Sequence, residues 1–169
     1  MYVDYETFMN PEIQNMCGII KNKNKRNIYI PLACNDFQQM SQIPQDLSAL
    51  KSTYDLFRGN QNITSLSLDV PNLEHGNSMF YGCKNLVSVT LNAPKMTNFD
   101  YGFSGCENLR ELHGDLSSVV NVSGYPFSGC KNLTTITAKL PPGFSYLLEC
   151  GSCRLDKQTV LYLIDVLKK

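Results

Sequence analysis

Four phenylalanines, Phe57, Phe80, Phe103 and Phe127, stand 23, 23 and 24 residues apart. Each opens a run that reads F-x-G-x-x-N-[IL]-x-x-[LVI]. A fixed period of this length marks a solenoid, in which each repeat buries its apolar side only against its neighbours. The register holds column by column: Gly59, Gly82, Gly105 and Gly129; Asn62, Asn85, Asn108 and Asn132; Ile63, Leu86, Leu109 and Leu133; Leu66, Val89, Leu112 and Ile136. Two residues further on, Leu68, Leu91, Gly114 and Ala138 form a column in which the series weakens. Cys83, Cys106 and Cys130 share one more column, with Asn60 at the equivalent place in the first repeat. A degenerate copy precedes these four, because Cys34, Met40, Ile43, Leu47 and Leu50 sit one period before Phe57, Ile63, Leu66, Val70 and Leu73.

The spacing Cys83-x-x-Leu86-x-x-Val89-x-Leu91 resembles the leucine-rich repeat pattern C-x-x-L-x-x-L-x-L. Its final two-residue step is that of a short strand with alternating sides, and each coil adds one parallel strand at about 4.8 Å per coil. The column that holds Asn in most leucine-rich repeats reads Pro71, Pro94, Ser117 and Pro141 here, so an Asn ladder is absent. The Phe-x-x-Cys element, the proline after the strand and the 23-residue period resemble the BspA-like, or Treponema-type, leucine-rich repeats. Both ends carry a similar resemblance. Asn10 to Cys17 is similar to an opening helix of such proteins, and Cys153 to Leu167 to a closing helix of copies from gut bacteria and their phages.

The expected fold is an α/β-type leucine-rich repeat solenoid of short parallel strands, about four to five coils of 23 residues, flanked by N- and C-terminal capping helices. Residues 1–33 form the N-terminal helical cap, 34–142 the array and 143–169 the C-terminal capping helix, all in one cooperative domain. Asn10 and Pro11 suit the start of a helix whose Ile13, Met16, Cys17 and Ile20 make one apolar face over the first coil. Pro141-Pro142-Gly143 breaks the array. Asp156 then caps a helix whose Val160, Leu163, Ile164 and Leu167 fall at helical spacing and fold back onto the last coil.

A chain of 169 residues with 43% apolar content is long enough for a continuous core. Its 15 Lys plus Arg balance 15 Asp plus Glu, so no long-range field draws it to nucleic acid or anionic lipid. The run Lys21 to Arg26 has no interleaved aromatic residue and reads as a solvated loop. In relatives the opening helix leads into an acidic loop similar to a calcium-binding hand, but Lys21 to Ile30 carries four cations and no carboxylate, so no calcium site is expected. No cofactor is implied. Met1 to Glu6 lacks the features of a secretory signal and no run is long enough to span a membrane, which favours a cytoplasmic or virion-associated setting over secretion. Seven cysteines, three of them in a core column, favour buried free thiols over a disulfide framework. The sequons at Asn62, Asn121 and Asn132 are not read as glycosylation, since two of them belong to the repeat column.

Two chemical readings are weak. Cys150-Gly151-Ser152-Cys153 before a helix has thiol–disulfide oxidoreductase spacing without the βαβ context, so a turn that closes a small disulfide is the preferred reading of Cys150 and Cys153. Glu111, His113 and Asp115 share one strand face, but nothing completes a metal shell or a catalytic set. The same positions in the other coils are Ser65, Ser67 and Asp69; Ser88, Thr90 and Asn92; and Thr135, Thr137 and Lys139. These twelve residues either solvate the sheet or make an extended hydrogen-bonding surface for a partner, and both readings stay open. Tyr81, Tyr101 and Tyr125 beside the Phe positions could add aromatic contact. The resemblance implies attachment to a protein or cell-surface glycan, as a phage structural or host-binding protein in a virion or as a bacterial adhesin. A subunit that assembles into a larger particle through its edges or cap helices is a further option.

Overall fold

The computed structural model describes the backbone at residues 2–3 and 28–29, and residues 50–122, 124–145 and 153–169 in full. Strands β1 (Tyr2–Val3), β2 (Ile28–Tyr29), β3 (Leu50–Tyr54), β4 (Ser65–Asp69), β5 (His75–Asn77), β6 (Ser88–Asn92), β7 (Glu111–Asp115) and β8 (Thr135–Ile136) precede helix α1 (Lys157–Leu167). The parallel sheet β4-β6-β7-β8 is the expected solenoid ladder. Its register pairs Ser65 with Ser88, Ser88 with Glu111 and Glu111 with Thr135, each one repeat apart.

Each coil contributes to a second ladder as well, which the one-strand-per-coil reading did not anticipate. Ser52 of β3 pairs in parallel with His75 of β5, His75 bridges Asn98, and Asn98 bridges Asn121. The turns between the ladders are also stitched coil to coil: the Phe57, Phe80 and Phe103 N–H groups donate to the carbonyls of Met79, Gly102 and Pro126, all at 2.8 Å. Backbone donors that would be orphaned in a lone coil are thus satisfied by its neighbour.

Inside the coils the repeat columns become stacks. The rings of Phe57 and Phe80 lie 5.3 Å apart, Phe80 and Phe103 5.0 Å, and Phe103 and Phe127 5.8 Å, all nearly parallel. Phe144, just past the Pro-Pro-Gly break, closes the stack edge-on against Phe127. Each such pair adds about 0.5–1.5 kcal/mol beyond the area it buries. The cysteine column is buried and free. Cys83, Cys106 and Cys130 donate Sγ–H to the carbonyls of Phe57, Phe80 and Phe103 at 2.9, 3.0 and 3.2 Å, one coil back. In the first repeat Asn60 takes over, its Oδ1 accepting from the N–H groups of Asn62 and Ile63 at 2.8 and 3.0 Å. Leu50, one period before Leu73, is buried like Leu73 itself, while Cys34, Met40, Ile43 and Leu47 lie outside the described residues.

The weak column has a backbone cause. Gly114 sits at φ +111 inside β7, and a Cβ there would collide with the carbonyl of Leu91 on the adjacent strand. The ladder loses regularity next to it: the N–H groups of Thr137 and Ala138 share the Leu112 carbonyl, at 2.9 and 3.3 Å, and β8 is only two residues long.

The ends are closed differently. β1 pairs antiparallel with β2 and with β3, covering the edge of the second ladder. The helix expected over residues 11–20 lies outside the described residues. At the other end the expected N-cap is present: the Asp156 carboxylate accepts from the Thr159 N–H at 2.7 Å. The inward face of α1 differs from the expectation. Thr159, Leu163 and Val166 are buried, whereas Val160, Ile164 and Leu167 are exposed together with Leu161. The edge strand decides this rotation. Thr159 Oγ1 accepts from the Ile136 N–H at 3.0 Å, and the Tyr162 hydroxyl accepts from the Leu140 N–H at 3.2 Å and donates to the Ala138 carbonyl at 2.7 Å. These are the groups that a further coil would have satisfied.

Leu109 and Leu112 are fully buried. Leu109→Ala or Leu112→Ala should cost about 2–5 kcal/mol in a denaturant unfolding titration, and a loss below about 1 kcal/mol would contradict the stacked register. Thr159→Val keeps the shape of the cap and removes its acceptor. The orphaned Ile136 N–H should lower stability by about 1–3 kcal/mol in the same measurement.

Candidate functional site

The alternation of β4, β6, β7 and β8 turns Leu68, Val89, Leu91, Leu112 and Ile136 inward and leaves the intervening side chains on the outer face. The twelve residues singled out in the sequence therefore form three columns. Ser65, Ser88, Glu111 and Thr135 make the first, and Ser67, Thr90 and His113, continued by Thr137, the second. Asp69, Asn92, Asp115 and Lys139 make the third, the last pair through an isolated bridge. Their side chains are exposed or half-exposed throughout.

Polar contacts thicken towards the C-terminal coils. Glu111 Oε2 lies 3.4 Å from His113 Nε2 and accepts from the Ser88 hydroxyl at 3.4 Å, and His113 Nδ1 stands 2.6 Å from Thr137 Oγ1. Asp115 accepts from the Ser117 hydroxyl at 2.6 Å, the Ser117 N–H at 3.1 Å and Lys139 Nζ at 3.2 Å. The Ser117 hydroxyl foremost, then its N–H and the Lys139 ammonium, hold the Asp115 carboxyl below its ordinary value. Thr135 Oγ1 donates to Asp156 Oδ2 at 2.9 Å, tying the strand face to the start of α1. The Thr159 N–H first, and then the Thr135 hydroxyl, hold Asp156 below the usual carboxylate range. Between β8 and α1 a cavity of about 310 Å³ opens, lined by Thr135, Ile136, Thr137, Asp156, Gln158, Thr159 and Tyr162.

The remaining candidates separate from this face. Tyr81, Tyr101 and Tyr125 are exposed on the turn that follows the second ladder, not in the strand columns, and Tyr81 is covered by the Arg58 guanidinium 4.5 Å from its ring. Cys153 is disulfide-bonded and so presents no free thiol, while Cys150 lies outside the described residues. Burial pushes the Cys130 thiol up to about 12. The Cys83 side chain and burial drive Cys106 up as well, so neither thiol supplies a thiolate near neutral pH. Among the described residues no cluster of three or more His, Cys, Asp and Glu side chains could hold a metal ion. No helix among them is long and apolar enough to cross a membrane.

Asp156 and Gln158 join the site only through the docking of α1. The signal for them was the pair of columns that end in Thr135 and Thr137 and run along the sheet to whatever follows the last coil. The second ladder was also written in the sequence, since His75, Asn98 and Asn121 are each 23 residues apart.

A stack of 23-residue coils with inward Phe and Leu columns and an open polar strand face defines a leucine-rich repeat solenoid. The chain belongs to the family described as BspA type leucine rich repeat region, which it matches in six copies over residues 33–147, more than half its length. Leucine-rich repeat modules mediate protein interactions and are typically non-catalytic. No curated protein and no solved structure matches the chain.

The depressed value of Asp115 sets a pH dependence. A carboxylate whose folded value is lowered adds stability above its unfolded value, about 3.9, and loses it as pH falls through the folded value. Ser117→Ala should raise the Asp115 midpoint in an NMR titration. The stability gap to the parent protein should be full at neutral pH and close as pH falls through the parent's folded value; a gap that is constant with pH would contradict the assignment.

Proposed function

We propose that this protein is a non-enzymatic attachment module whose outer strand face holds a macromolecular partner, either a protein or a cell-surface glycan. One observation carries the reading: twelve short or charged polar side chains stand in three in-register columns across four parallel strands. Parallel strands about 4.8 Å apart repeat donors and acceptors at a spacing that an extended ligand can follow along the solenoid axis. Ser, Thr and Asn side chains both donate and accept, so such a surface adapts to partner groups without a large desolvation cost. The finer reading is attachment in a particle or at a cell surface, as a phage structural or host-binding subunit or as a bacterial adhesin. It rests on the attachment roles that the family resemblance implies.

Labelled protein can be tested on intact bacterial cells and on a glycan array. Thr90→Arg, in the middle of the face, should weaken binding about tenfold or more, as expected for a bulky charge placed in an interface centre. Lys84→Ser, on the turn beyond Cys83, should leave binding within about twofold. Equal binding by Thr90→Arg and the parent protein would remove the strand face from the interface.

A further inference from the structure

Arg110 and Arg154 lie 44 residues apart in the chain and line one cavity of about 240 Å³ with Asn132 and Thr134. Their backbones are pinned on opposite sides of the coil segment that contains Asn132 and Thr134. The Arg110 carbonyl accepts from the N–H groups of Thr134 and Thr135, both at 3.0 Å, and the Arg154 N–H donates to the Leu133 carbonyl at 3.0 Å. The Asp156 N–H donates to the Thr134 carbonyl at 2.9 Å, so the segment that carries Arg154 sits where the next coil would. At about 4.8 Å per coil the two arginine backbones are about 10 Å apart, a span that two arginine side chains can share around a small group.

Among the described residues neither guanidinium has a carboxylate partner. The ion pairs of the described residues join Arg58 to Asp55, Lys84 and Lys131 to Glu107, His113 to Glu111, Lys139 to Asp115 and Lys169 to Asp165. Two lysines already engage the Glu107 carboxylate, while the Glu107 carbonyl accepts from Asn132 Nδ2 at 2.9 Å. The second N–H of that amide remains a donor. The Thr134 hydroxyl is spent on the Arg110 carbonyl at 3.1 Å. The described groups offered to the cavity are thus two permanent cations and an amide donor, with no carboxylate among the described residues that line it.

We propose that this cavity binds a tetrahedral oxyanion, a sulfate or phosphate group. The two arginines are anchored on opposite sides of one coil segment, and Asn132 of that segment lines the same cavity, so a ligand there can accept hydrogen bonds from three directions. A tetrahedral oxyanion does this, whereas a planar carboxylate presents its lone pairs in one plane. The site is separate from the strand face and does not rest on the attachment reading.

Isothermal titration of the full chain with inorganic sulfate, inorganic phosphate and acetate at matched ionic strength tests this. Sulfate or phosphate should bind one per chain, and acetate about tenfold or more weaker. Arg110→Gln and Arg154→Gln should each reduce the oxyanion affinity about tenfold or more, while Arg58→Gln leaves it within about twofold. Both arginine side chains are exposed, and unchanged melting in chloride establishes that the variants are folded. Glucose 6-sulfate and glucose 6-phosphate then distinguish an ester-borne group from the free ion as the source of the bound oxyanion. No saturable binding of sulfate or phosphate, acetate binding as tightly, or full affinity in a folded Arg110→Gln or Arg154→Gln variant overturns the proposal.

Discussion

Everything in this molecule depends on the hydrogen-bonded register between successive coils. A single coil has strand edges, turn donors and a Phe side chain that it cannot satisfy alone, and each is completed by the coil above or below. The Phe stack and the thiol-to-carbonyl bonds of the cysteine column run along the same axis, so packing and hydrogen bonding select one register together. A slip of one residue would turn the leucines outward and the Ser/Thr columns into the core.

The same dependence makes the ends special. β1 pairs with β3 at one edge, and at the other the helix supplies Thr159 and Tyr162 to the free groups of the last coil. Because those two polar side chains must meet the sheet edge, α1 is rotated about its axis and keeps a second apolar stripe, Val160, Leu161, Ile164 and Leu167, on the outside. A helix with apolar residues on both sides has no unique inward face by periodicity alone; hydrogen-bond demand broke the tie.

Irregularity and individuality coincide along the solenoid. Between β4 and β6 the coils repeat faithfully and the outer face is built from small neutral groups and one carboxylate, Asp69. From Gly114 onward the ladder is distorted and the Phe spacing lengthens to 24 residues. Around and beyond that point the surface carries Arg110, His113, Asp115, Arg154 and Asp156, and the two cavities described above open. A perfect repeat presents the same chemistry at every coil; departures from it are where distinct ligand groups can be held.

The sequence by itself determined the period, the identity of the core columns, the three polar columns of the strand face and the Asp156 helix cap. All of these follow from local spacing, since a strand alternates its sides every residue and a cap needs only its own first turn. The second ladder was equally periodic in His75, Asn98 and Asn121 and in the buried Leu73, Met96 and Val119 two residues before them, but beyond β5 it consists of single-residue bridges, too short to show a strand's alternation. Tertiary structure alone decided which face of α1 turns inward, how the strand face continues into Asp156 and Gln158, and that Arg110 meets Arg154. Those outcomes depend on where the segment after the array docks: backbone bonds to Leu133 and Thr134 seat it, between groups that every residue carries and no sequence pattern distinguishes, and only once it is seated do Thr159 and Tyr162 meet the edge groups that set the rotation of α1.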